Sequence, residues 1–284
     1  MKILKTTFLL TALTLLLLFL GQAFGGPRGM TFALVIAALL NGTAYFFSDK
    51  IALMSSGAVP ISKEQAPRLY AVLERLAAKA NLPMPKMYLI PQAAPNAFAT
   101  GRNPSHASVA VTQGLMELMD DEELEGVIAH ELSHVRNYDI LTSSIAATIA
   151  GAITWTAEMG RWAMIFGGWG GRDDNRRGGG LTALLMLILA PLAALLLQLG
   201  ISRQREYQAD ASGAKMAGHP YGLIRALEKL GAYNKKIPME ISPSTSALCI
   251  VAPLTAGQIF SGLFSTHPPL ADRIAELKNM SVTR

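Results

Sequence analysis

Four stretches of the chain carry no charged residue over a length that matters: Thr6 to Pro27, Gly29 to Ser48, Ile140 to Ala157 and Gly178 to Ser202. About 20 apolar residues rising 1.5 Å each cross a hydrocarbon layer of roughly 30 Å, so each run is a candidate transmembrane helix. Pro191 would kink the fourth run without forbidding it. Between and after these runs the pattern turns amphipathic. Leu69, Val72, Leu73 and Leu76 recur at helical spacing behind a capping signature, Ser62 to Gln65, and predict a helix ending near Asn81. The apolar burst Met87 to Ile90 follows helix-ending prolines and reads as a short strand. Asn96 to Gly101 and Ala107 to Thr112 alternate small and apolar residues across the turn-rich RNPSH, the pattern of a β-hairpin. Asp120 and Glu123 form a capping pair ahead of Leu124, Val127, Ile128, Leu132 and Val135, which places a helix over that stretch. Further helices are predicted within REYQADASGAKMAG, PYGLIRALEKLGAYN and PLADRIAELKN.

Charge orients these elements. Lys2 and Lys5 precede the first run, Arg28 alone lies in the link, and Lys50, Lys63 and Arg68 follow the second, which puts both ends of an N-terminal hairpin and the region from Asp49 onward in the cytoplasm. The first run also has the make-up of a cleaved secretory signal, but a second apolar run so close behind it favours a retained hairpin. The loop between runs three and four holds Arg161, Arg172, Arg176 and Arg177, an awkward load for an outside loop, while Trp155, Trp162 and Trp169 suit a headgroup interface. A spanning or partly inserted hairpin is the expectation there.

Composition agrees with a membrane component, since 51% of the residues are hydrophobic and only 16% charged. The formal charge of +5 is scattered, with no basic stripe interleaved with aromatics, so nucleic acid is not an expected partner. A single cysteine, Cys249, rules out an intrachain disulfide framework and any cysteine cluster, so a bound metal must be held by histidines and carboxylates.

Such a site is suggested by AHELSHVRNYD. His130 and His134 stand one helical turn apart with Glu131 between them, about 40° apart in direction and ~6 Å in height, so both imidazoles can approach one ion from one face. In a chain with 5 histidines an H-E-x-x-H arrangement is expected by chance only about 0.004 times. Zinc suits imidazole, and a zinc hydrolase needs a third protein ligand and an open position. The extended pattern H-E-x-x-H-x-x-G-x-x-H is excluded because Asn137 and Ile140 occupy the places of its glycine and last histidine. Glu206 and Asp210 are four apart on a helical pattern, so Glu206 can complete the ligand set while Asp210 accepts a hydrogen bond from a ligand histidine. The bland alternative is Glu206 as a solvated partner of Arg203 or Arg205. Arg203 and Arg273 either orient carboxylates or are plain surface charges, with a structural role preferred. The segment Asn96, Ala97, Phe98, Ala99 and Thr100, rich in small side chains, is the expected sheet edge on which an extended peptide adds as a further strand.

AHELSHVRNYD, SRQREYQADASG, PNAFATG and LFSTHPPLADRI, with four apolar runs around them, closely resemble the HtpX group of membrane-bound zinc metallopeptidases, relatives of the Ste24 CAAX-processing peptidases. The resemblance spans nearly the whole chain and departs from the group in the glycine- and arginine-rich loop between runs three and four. It implies His130, His134 and Glu206 as ligands of one Zn²⁺, Glu131 as the catalytic base, and His267 as a donor to the developing oxyanion or else a structural histidine capping the following helix. It implies an α+β fold, a mainly helical zincin-type domain with a small β-sheet. The expected organisation is a transmembrane hairpin over 1–48, catalytic parts over 49–139 and 202–284, and a second membrane hairpin over 140–201. The expected function is endoproteolysis of misfolded or damaged membrane proteins at the cytoplasmic face of a bacterial inner membrane, with polypeptides and the lipid bilayer as partners. A catalytically silent scaffold or stress sensor, and a processor specific for CAAX-type C-termini, are the competing readings. Glu131 argues against the first, and the presence of only four apolar runs against the second's large intramembrane chamber.

Overall fold

The computed structural model describes residues 2–149, 203–236, 250 and 268–280. The fourth apolar run, the part of the third beyond Ile149, and His267 lie outside them.

The first two apolar runs form one helical element, α1 (Lys2–Ser55), broken at Gly26, whose φ of 59° and ψ of −148° precede Pro27. Glycine reaches that conformation without a Cβ clash, and the proline that follows cannot continue the first arm's hydrogen-bond ladder. The arms fold back on each other: Asn41 Nδ2 donates to Thr14 Oγ1 at 2.8 Å, and a Cβ on Gly21 would lie 2.5 Å from the Gly29 carbonyl oxygen. The second helix does not end at Ser48 but continues to Ser55, and Gly25–Ser55 is long and apolar enough to cross a membrane by length and composition. Phe19, Phe32, Leu39 and Phe46 point outward from α1 and are exposed.

After α1 come β1 (Val59–Pro60), α2 (Pro67–Ala80), β2 (Lys86–Ile90), β3 (Ala97–Gly101) and β4 (Ala107–Thr112). The expected capping signature at Ser62 makes a turn instead of a helix start: the Ser62 amide donates to Gln65 Oε1 at 2.9 Å, and α2 begins five residues later at Pro67. Proline explains the shift, because it disfavours helical backbone in the residue before it, and Ala66 accordingly sits at φ −137°, ψ 61°. The apolar face of α2 is buried as its spacing predicted. The strands form a mixed sheet in the order β1-β2-β4-β3, with β3 and β4 antiparallel as the expected hairpin and β2 parallel to β4.

A short α3 (Gln113–Leu118) leads to α4 (Asp121–Arg136), which opens with the full capping box: the Glu123 amide donates to Asp120 Oδ1, and the Asp120 amide to Glu123 Oε2, both at 2.9 Å. The chain then turns through Asn137 and Tyr138 into α5 (Asp139–Ile149), the start of the third apolar run. Helices α6 (Arg203–Ala217), α7 (Tyr221–Lys236) and α8 (Leu270–Asn279) complete the described chain. Two apolar clusters divide the work. One joins the inner faces of α2, the sheet, α4, α6, α7 and α8, and the other packs Phe98 and Ile90 of the sheet against Leu13 and Ala44 of α1 and Ile145 and Ile149 of α5. Helix α4 runs through the first cluster, with Leu124, Val127, Ile128, Leu132 and Val135 all fully buried. The H-E-x-x-H pattern is thus carried on a helix whose apolar face is fully buried in the core.

Candidate metal centre

His130 and His134 project from α4 with their Nε2 atoms 3.3 Å apart. Glu206, in the first turn of α6, brings its carboxylate to 3.7 Å from His130 Nε2 and 3.6 Å from His134 Nε2. One ligand atom from each residue falls within 4.8 Å of the others, so the two distant segments do converge. Glu206 is 5% exposed, which removes the alternative of a solvated partner for Arg203 or Arg205.

What lets α6 come so close is Gly213. A Cβ there would lie 2.9 Å from the His130 amide nitrogen and 3.1 Å from the Ala129 carbonyl carbon, so the helices touch backbone to backbone. We expect Gly213→Ala to cost about 1–3 kcal/mol through overpacking. It should also weaken zinc retention, because the shift carries Glu206 away from α4; denaturant melts and bound-zinc assays on one preparation check both.

The charge environment tests whether a cation fits. Asp210, one turn after Glu206, lies 2.8 Å from His130 Nδ1, and Asp139 lies 3.5 Å from His134 Nδ1. A carboxylate against Nδ1 fixes the proton there and leaves Nε2 as a bare acceptor. The two Nε2 atoms and a Glu206 carboxylate oxygen then face one another in a buried space, an arrangement of ligand atoms that suits a bound cation. Burial works against the imidazolium of His134, yet Asp139, Glu206 and Glu131 together raise it to about 9. His130, more dominated by burial and flanked by Arg273, moves below its ordinary value despite Asp210. The donor set of two imidazoles and one carboxylate is that of a zinc hydrolase, and it fits Zn²⁺.

Glu131 is 4% exposed, and burial followed by the neighbouring Glu206 lifts its carboxyl to about 7, against the pull of His134. Its Oε2 accepts a hydrogen bond from the Ala99 amide at 2.8 Å, which ties it to β3. That bond defines the strand's free side. The Thr112 amide donates to the Asn96 carbonyl at 2.9 Å, so alternate residues, Asn96, Phe98 and Thr100, turn their backbone groups toward β4 while Ala97 and Ala99 turn theirs away. The expected edge segment is thus at the edge of the sheet, though all five residues of β3 are buried instead of lying on open surface. Thr100 is tied further to α5 through Ser144 Oγ at 2.7 Å.

Arg273 has the place that sequence reasoning left between surface charge and orienting group. Among the described residues it is the largest fully buried side chain, donating from Nε and Nη2 to the two Asp210 oxygens at 2.8 and 2.7 Å and from Nη1 to the Ile250 carbonyl at 2.7 Å. Burial favours protonated Asp210, but Arg273 and His130 outweigh it and hold the carboxyl below its ordinary value. Asp139, not among the expected site residues, sets a carboxylate against His134 as Asp210 does against His130; its signal in the sequence is only its place five residues after His134. His106 is exposed among Arg102 and Asn103, and His219 faces Glu122, so neither reaches the centre.

The model of peptidase family M48 matches residues 63–281 of this chain. A protease HtpX homolog of Desulfatibacillum aliphaticivorans is 56% identical over 273 residues, covering 96% of this chain and 88% of the relative. One from Syntrophotalea carbinolica is 51% identical over 283 residues, covering 99% of this chain and 100% of the relative, and one from Aquifex aeolicus is 50% identical, covering 92% and 87%. Among solved structures, Ste24p of S. mikatae shares the fold with a TM-score of 0.53 at 20% sequence identity; the likeness covers 97% of this chain and 64% of that one.

Proposed function

Because the chain belongs to peptidase family M48, as an HtpX homolog and zinc metallopeptidase, we propose that it cuts misfolded or damaged membrane proteins at the cytoplasmic face of a bacterial inner membrane. The observation that carries the reading is the joint position of Glu131, buried beside the three-ligand cluster and hydrogen-bonded to the edge strand. Zinc, when bound, acidifies water and polarises a carbonyl. Glu131 is then the group that takes the proton and passes it to the leaving amine, a role worth about 10²–10⁴ in rate. A substrate added along Ala97 and Ala99 would be extended, with its backbone facing Glu131 and its side chains meeting mostly small residues, which supports broad endopeptidase activity. His267 remains the proposed donor to the oxyanion; it lies outside the described residues. The exposed aromatic and aliphatic side chains along α1, with Lys50 at the end facing the polar domain, support membrane insertion with that domain on the cytoplasmic side.

The test uses the full chain in membrane vesicles of both orientations, with casein as an unfolded substrate. Casein should be hydrolysed where the cytoplasmic face is outward, and the activity should vanish with a chelator and return with zinc. Equal cleavage in both orientations would reject the topology, and chelator-resistant cleavage would reject the chemistry.

A further inference from the structure

Each metal-facing imidazole is backed in the same order, histidine to aspartate to arginine. His130 leads to Asp210 and Arg273. His134 leads to Asp139 Oδ2 at 3.5 Å, and Asp139 Oδ1 in turn to Arg205 Nη1 at 3.7 Å. The second relay joins two places that are far apart in the chain: Asp139 opens α5 at the head of the third apolar run, and Arg205 stands in the first turn of α6, just after the fourth. Both are largely buried, each side chain 12% exposed.

Two features show that this pairing is specified. Tyr138 adopts a φ of 60°, a left-handed backbone that side-chain-bearing residues seldom take, and it is this turn that folds Asp139 back toward His134. Among the described residues Arg205 buries Nε and Nη2 without a hydrogen-bond partner, while its Nη1 lies 3.7 Å from Asp139 Oδ1.

We propose that Asp139 is a positioning residue for His134, and that Arg205 holds the Asp139 carboxylate so that zinc affinity depends on this pair. The proposal rests on His134 being a zinc ligand. The carboxylate orients the His134 ring and fixes its proton on Nδ1; Arg205 holds that carboxylate in place, its Nη1 3.7 Å from Asp139 Oδ1. The same pair joins the start of α5 to the first turn of α6 beside the zinc site. If it only fastened them, its loss would lower folding stability and leave the metal untouched.

Full-length protein in detergent, stripped of zinc and titrated against a chromophoric chelator, separates these roles, with thermal unfolding of the zinc-free protein measured in parallel. Asp139→Ala should weaken zinc binding about 10- to 100-fold. Asp139→Asn, which keeps an acceptor in place, should lose less, and the visible bands of the cobalt-substituted protein should move in both. Arg205→Met should weaken zinc binding on its own but not further in the Asp139→Ala background. Should Asp139→Ala fail to fold, the near-isosteric Asp139→Asn and Arg205→Met carry the test. Zinc affinity and cobalt spectra indistinguishable from wild type, with unfolding temperature lowered, would overturn the proposal in favour of a mechanical pin. Absence of zinc uptake by the wild type would instead remove the ligand assignment on which it stands.

Discussion

Glu131→Gln should retain a full complement of zinc while casein hydrolysis falls by about 10²–10⁴. The substitution changes little besides basicity. Glutamine has the volume of glutamate, and its amide oxygen can accept the Ala99 N–H bond that Glu131 Oε2 now receives, so β3 stays attached to α4. The residues that could hold the ion are His130, His134 and Glu206, and none of these is altered. Stability should hold or rise slightly, because the variant removes a buried carboxylate that burial and Glu206 already push toward its neutral form. Zinc content by metal analysis, unfolding temperature and hydrolysis measured on one preparation give three readings that only a lost base combines in this way. Undiminished cleavage would take the proton-transfer role away from Glu131.

The parts of this site that were legible in the sequence are those whose information is local. The Asp120–Glu123 box, the apolar face behind it and the four-residue spacing of His130 and His134 all belong to one helix, and the period of that helix dictates how they face. Glu206 and Asp210 were found the same way, as a pair on one helix, although only the fold could show that their helix packs on α4 at Gly213. What the chain pattern does not carry is contact between elements. Arg273 reads as one charged residue in an amphipathic helix, and nothing in PLADRIAELKN tells that its face is turned inward. Asp139 follows the motif closely yet lies past the helix end, and it reaches His134 only because Tyr138 takes a left-handed turn. The third apolar run shows the matching limit for hydropathy. Ile145, Ala146 and Ile149 of α5 are buried against the sheet and α1, and an apolar side chain has the same composition whether protein or lipid covers it. The start of α2 departs from its pattern for a related reason: Ser62 and Gln65 bond each other in a turn, but Pro67 prevents the helix from growing back to it.

The largest effect on folding should come from Arg273→Met, a loss of about 3–5 kcal/mol. Three acceptors depend on this guanidinium: it binds Asp210 through two parallel bonds, takes the Ile250 carbonyl through Nη1, and stands 3.9 Å from Glu206 Oε2. Methionine fills much of the space but leaves Asp210 as an unpaired charge at 2% exposure, with His130 its remaining partner. The carboxyl must then either stay charged without compensation or take a proton, and a protonated Asp210 no longer holds the His130 ring by a strong acceptor. Zinc affinity should therefore fall together with the denaturation midpoint. If the cost is that of a stranded charge, it should be recovered in part by removing the charge: Arg273→Met combined with Asp210→Leu should be more stable than the two single losses added together, although zinc binding stays poor. A surface role for Arg273 predicts the opposite on every count, with a change inside about 0.5 kcal/mol and no coupling to Asp210. Chemical denaturation of the four proteins of this cycle, read beside their zinc content, decides between a buried hub that organises α4, α6 and α8 around the metal centre and an arginine that merely happens to lie near it.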